Sequence, residues 1–176
     1  YNVPLKGSEE KVIKAKLKAL KCNVGGNEAD NIRLIENFLK LEMNYGNGYA
    51  DEGVKKAFKS SSTTMIGLIK LYKYMFDVAG IEYRYGFISD RYETAFDRDF
   101  ESDYFLQNYI LYFPSIEQYM APLDFSSRLG FVSNEWIPNY ALLADDNKRT
   151  LETSYQVRPV PAVDYKQDFD SLVMDI

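Results

Sequence analysis

The chain has 176 residues, of which 46% are apolar and 27% charged, enough apolar material for one buried core. Its net charge of -5 argues against duplex nucleic acid, which demands many Lys and Arg contacts to phosphate. With one cysteine and no histidine, it cannot form an intrachain disulfide, a thiolate zinc cluster, a CxxC redox pair or a Cys–His or Ser–His couple.

The elements follow in chain order. Ser8-Glu9-Glu10 opens a helix in which Val12, Ile13, Leu17 and Leu20 recur at helical spacing. Lys11, Lys14, Lys16, Lys18 and Lys21 alternate with them as a solvated face. After the Gly25-Gly26-Asn27 break, Asp30 is placed to cap a second helix with Ile32, Ile35, Phe38 and Leu39 inward. Tyr45-Gly46-Asn47-Gly48 supplies turn chemistry, and a short helix is expected over 51–59 with Val54 and Phe58 inward.

The hydroxyl run from Ser60 to Thr64 offers several caps for the best-defined helix. Met65, Ile69, Tyr72, Phe76 and Ala79 form its apolar stripe, widened by Leu68, Leu71 and Met75. Gly80 stops it. The period then becomes two, with Ile81, Tyr83, Tyr85 and Phe87 alternating with Glu82 and Arg84 as a strand. An acidic segment over 89–103 leads to strands expected over 108–113, 118–122, 140–143 and 153–160. Pro159 and Pro161 mark a linker or a sheet edge. Helices first and strands later predict an α+β domain, with N-terminal helices packed on an antiparallel sheet. No run is apolar and long enough to span a bilayer. Tyr1 at the start and the apolar run Leu172-Val173-Met174-Asp175-Ile176 at the end read as the cut ends of a longer protein.

Three motifs between Lys14 and Leu143 carry a resemblance. The apolar helix ends in Ala79-Gly80-Ile81; a strand opens Asn108-Tyr109-Ile110-Leu111; another closes on Met120-Ala121-Pro122-Leu123, followed by Gly130 and Ala141-Leu142-Leu143. This order resembles the transglutaminase-like domains of the papain-like superfamily. The resemblance implies a papain-like core and, in active relatives, a Cys–His–Asp triad. At the corresponding positions this chain has Met65, Tyr109 and Ala121, with Asp124 close enough to substitute for the last. A one- or two-residue slip would put Thr63 or Thr64 at the nucleophile position. A thioether cannot attack as a thiolate does, and a phenol with pKa about 10 is a poor base at neutral pH. A triad acts as a unit, so the resemblance implies a non-catalytic domain with no cofactor and no metal.

The other candidates have simpler readings. Ser62, Thr63 and Thr64 could supply a hydroxyl nucleophile, but helix capping accounts for them. Asp97, Asp99, Glu101 and Asp103 alternate like calcium ligands without the spacing of a calcium loop. Cys22 lies apart from all three motifs. Tyr104, Phe105, Tyr109, Tyr112, Phe113, Tyr119 and Trp136 suit core and sheet packing, with a carbohydrate or peptide surface as the alternative.

The expectation is therefore a transglutaminase-like domain over residues 1–152 and a linker with the start of a β-rich module over 153–176. Its expected function is a scaffold or binding domain of a larger, envelope-associated bacterial protein. The expected partners are neighbouring domains and protein or glycan, with no nucleic acid and no membrane insertion. The periplasmic or cell-surface location comes from the resemblance. The alternatives are a carbohydrate- or peptide-binding module in the old cleft, or an atypical Ser/Thr hydrolase or acyltransferase.

Overall fold

The structure, a computed structural model, describes residues 5–23, 25–46, 53–94, 96–97, 106–146 and 153–162. In chain order these form α1 (Gly7–Ala19), α2 (Glu28–Leu41), β1 (Asn44–Gly46), α3 (Val54–Ser60), β2 (Ser62–Thr64), α4 (Met65–Ala79), β3 (Arg84–Ile88), β4 (Asn108–Phe113), β5 (Gln118–Met120), β6 (Asn139–Asp146) and β7 (Thr153–Val160). Helices precede the main sheet, giving an α+β architecture.

Local chemistry explains the helix ends. Asn27, rather than Asp30, caps α2: its Oδ1 accepts from Asp30 N at 3.2 Å. Asp30 instead sits in the first turn, where its carboxylate meets the positive end of the helix dipole favourably. Thr64 caps α4, its Oγ1 accepting from Gly67 N at 3.0 Å. At the other end Gly80 is left-handed, with φ 72°. Gly80 N donates to Asp77 O at 3.3 Å and Ile81 N to Phe76 O at 3.0 Å. This paired closure satisfies two otherwise orphaned carbonyls.

The main sheet has strand order β5-β4-β3-β6-β7, and every neighbouring pair is antiparallel. Leu111, Phe113 and Met120 point to the helices and join Leu68, Tyr72 and Phe76 in the larger core. Phe76 meets Phe113 edge-on at 5.2 Å between ring centroids. Ile110, Tyr112 and Tyr119 point the other way, into a second core with Ala141, Leu143 and Val160. That face is closed by Val132, Trp136 and Ile137 from the segment between β5 and β6.

Two expectations change. Thr153–Val160 is the edge strand of this sheet, paired with β6 from Asn139↔Val160 to Asp146↔Thr153. Its pairing and the burial of Val160 join it to the same sheet rather than to a following module that starts at 153. Tyr45-Gly46, expected as a turn, lies in β1, paired in parallel with β2. Residues 47–52, which include the start of the expected short helix, lie outside the described residues.

Candidate functional site at the start of helix α4

The start of α4 is the natural place to look for chemistry, since both Met65 and the hydroxyl run lie there. Met65 is 44% exposed and Ile66 42%. The Thr64 hydroxyl is engaged as the helix cap. Thr63 folds over the first turn so closely that a Cβ added to Gly67 would lie 2.0 Å from its Oγ1. Gly67 therefore makes room for Thr63. Ser62 is exposed on β2. Thr63 and Gly67 also line a cavity of about 150 Å³ with Lys6, Glu9, Lys70 and Tyr74.

Parallel pairing of β1 with β2 sets Tyr45 opposite Thr63. Tyr45 then reaches the segment after β5: its Oη donates to Leu123 O at 3.5 Å. Its ring stacks on Phe125 at 5.3 Å with 15° between planes. Asp124, between these two contacts, uses Oδ1 to accept from Ser126 N at 2.9 Å and Ser126 Oγ at 2.6 Å. Its carboxylate thus shapes a turn.

A buried ion pair anchors this turn from below. Lys40 Nζ donates to Glu36 Oε1 at 2.8 Å and to Ser127 O at 2.9 Å. Leu129 N donates to Glu36 Oε2 at 3.0 Å. Both charged side chains are almost wholly buried, at 0% and 1% exposure. Desolvation pulls the Lys40 ammonium below the ordinary lysine range, and the adjoining Glu36 carboxylate opposes that shift. Tyr72, also facing this cluster, is pushed well up, first by burial and then by Glu36. Its Oη is buried with no hydrogen-bond partner among the described residues.

The three motif positions do not share one face. Tyr109 is half-buried on β4, its ring 4.8 Å from Phe87 across the strand pair. Strand alternation puts it on the helix side with Leu111 and Phe113. Ala121 is fully buried in the opposite core, beside Ile110 and Tyr112. The cause is register: Leu111 stands opposite Met120, so Ala121, the residue just past β5, follows Ile110 to the far face. Asp124, beyond the strand, lies on the Tyr45 side through its neighbours Leu123 and Phe125.

Glu36, Lys40, Tyr45 and Phe125 were not singled out by the motifs. The signal for the first two was their spacing: two opposite charges four apart, in phase with Ile32 and Leu39 on the buried face of α2. Cys22 is half-buried and its thiol is pushed up by burial. Asp97 is exposed, while Asp99, Glu101, Asp103, Tyr104 and Phe105 lie outside the described residues. Among the described residues, no three Asp, Glu, Cys or His side chains are grouped to hold a metal ion. No helix among them is long and apolar enough to cross a membrane.

No protein-family model, curated protein or solved structure matches this chain.

Proposed function

We propose that the chain is a degenerate transglutaminase-like domain with a papain-like core, acting without covalent catalysis as a scaffold or binding domain. It serves a larger, envelope-associated bacterial protein, with neighbouring domains of the same chain as partners. The observation that carries this reading is Met65 at the first position of α4, in a chain with no histidine. A thiolate nucleophile and the imidazole that activates it are both missing from the motif positions.

The hydroxyl run supports the same reading. Thr64 is engaged as a cap and Thr63 packs against Gly67. Tyr109 meets Phe87 through its ring. The test is an amine-incorporation and peptide-hydrolysis assay on purified protein, with Cys22→Ala as control. The expected result is no turnover. Turnover abolished by Ser62→Ala, Thr63→Ala or Thr64→Ala would instead establish a hydroxyl nucleophile.

The binding role has an observation of its own. Tyr45 and Phe125 stack next to the start of α4 and remain 36% and 38% exposed. Aromatic rings left partly in water beside a fixed polar turn suit a ligand surface better than core packing.

A further inference from the structure

We propose that the cavity of about 150 Å³ between α1, α3 and α4 binds a free α-amino acid with a small apolar side chain. The inference goes beyond the binding reading above, since neither Tyr45 nor Phe125 lines this cavity.

Helix packing brings the walls together, because α1 packs on both α3 and α4. The side of α4 that lines the cavity is Gly67, Lys70, Leu71 and Tyr74, at the spacing of one helix face. A helix face packed against other helices is ordinarily apolar, yet this one carries a lysine and a tyrosine. From α1, Lys6 and Glu9 line the same space, three positions apart. Val54 and Ala57 of α3, both buried, join Leu71 as the apolar part of the lining. An apolar concavity with a few convergent polar groups is the usual form of a small-molecule site.

The lining decides the ligand class. Two of its oxygens are held close against glycine backbone. Glu9 Oε1 accepts from Val54 N at 3.4 Å and lies 3.1 Å from where a Cβ on Gly53 would stand. Thr63 Oγ1 lies over Gly67 in the same way. An ammonium group suits these two acceptors, one of them a carboxylate oxygen. Lys6 and Lys70 suit a carboxylate in turn. A simple anion would meet like charge at Glu9, and a simple amine would meet it at both lysines; a zwitterion answers all three. A residue within a peptide has neither charge. Size limits the rest, for a cavity of this volume takes a molecule of about benzene's bulk. Beyond the α-carbon that leaves room for a short side chain against Val54, Ala57 and Leu71.

The experiment is calorimetric and NMR titration of the whole chain with L-alanine, L-valine and L-tryptophan. N-acetyl-L-valine, which lacks the ammonium, and L-valinamide, which lacks the carboxylate, complete the set. Saturable binding of L-alanine or L-valine is expected, with L-tryptophan too large to enter. Acetylation and amidation should each weaken binding about tenfold or more, the loss of one charged contact. Glu9→Gln and Lys70→Gln should each weaken it to a similar degree. Glu9→Gln keeps an acceptor for Val54 N, so it removes the charge without removing that contact. Lys6→Gln, at an exposed position, keeps the test valid if Lys70→Gln fails to fold. Tyr155→Ala, an exposed tyrosine on β7, should leave binding unchanged. No saturable binding of either small amino acid would overturn the proposal. So would equal binding of N-acetyl-L-valine or L-valinamide, or binding indifferent to the Glu9 and lysine variants.

Discussion

The Lys40 ammonium on α2 reaches across to the Ser127 carbonyl, 2.9 Å away and 87 positions later in the chain. The same ammonium pairs with Glu36, whose second oxygen accepts from Leu129 N. One buried ion pair thus joins the helical layer to the segment that leaves the sheet after β5.

Breaking that pair from one side should be costly. Lys40→Met leaves the Glu36 charge buried without its cation, so about 3–5 kcal/mol of stability should be lost. Replacing both residues with apolar ones of similar volume should cost less, since no uncompensated charge remains. Urea unfolding of the two variants measures the difference. A Lys40→Met loss below about 1 kcal/mol would refute the described burial of the pair.

Tyr72 gives a pH signature. Its buried hydroxyl has no partner among the described residues, so Tyr72→Phe should be neutral or stabilising by about 1 kcal/mol at neutral pH. Its ionisation is raised in the folded state, so the folded chain holds that proton where the unfolded chain has lost it. Stability from this group is therefore complete below about pH 10 and falls as pH climbs past that value. Tyr119, also raised by burial, acts in the same direction. Lys40 acts oppositely: its lowered ionisation means the unfolded chain binds the extra proton, so stability rises toward about pH 10.4. Tyr72→Phe should flatten the alkaline decline, as read from thermal unfolding between neutral pH and about pH 11. An unchanged alkaline slope would show that Tyr72 is not buried as described.

Gly67→Ala tests the packing at the start of α4. Within a helix this change normally stabilises by about 1 kcal/mol. Here the added methyl meets Thr63 Oγ1 at 2.0 Å, so a net loss of about 1–3 kcal/mol is expected. Adding Thr63→Ala removes the obstructing hydroxyl and should recover most of that loss. The double-mutant cycle gives the coupling energy directly. A coupling near zero would mean that Thr63 does not lie over Gly67.

The two edges of the sheet approach each other on the face away from the helices. Tyr119 on β5 donates its hydroxyl to Pro159 O on β7 at 2.9 Å, and Arg158 lies 4.4 Å above the Tyr112 ring. Tyr119→Phe should cost about 0.5–1.5 kcal/mol. It should also speed amide exchange over 153–160 more than over 108–113. Equal protection in both strands would argue that the hydroxyl bond does not hold the edge.

Local chemistry made several elements legible from residues alone. The α4 stripe, the Gly80 stop and the strands over 108–113 and 153–160 all follow from side-chain period and glycine conformation, which depend on neighbours in the chain. So does the lack of imidazole chemistry, which composition settles. The pairing partner of a strand is a different matter. Nothing near Thr153 announces that it will lie against Asp146, and nothing near Tyr45 announces parallel pairing with Thr63. Burial of Lys40 becomes intelligible only when Ser127 and Glu36 satisfy its donors, because an ammonium leaves water only for partners that folding brings to it. Ala121 is the sharpest case. A residue's place along a strand can be counted, but its face depends on register, and the Leu111–Met120 pairing turned it away from Tyr109.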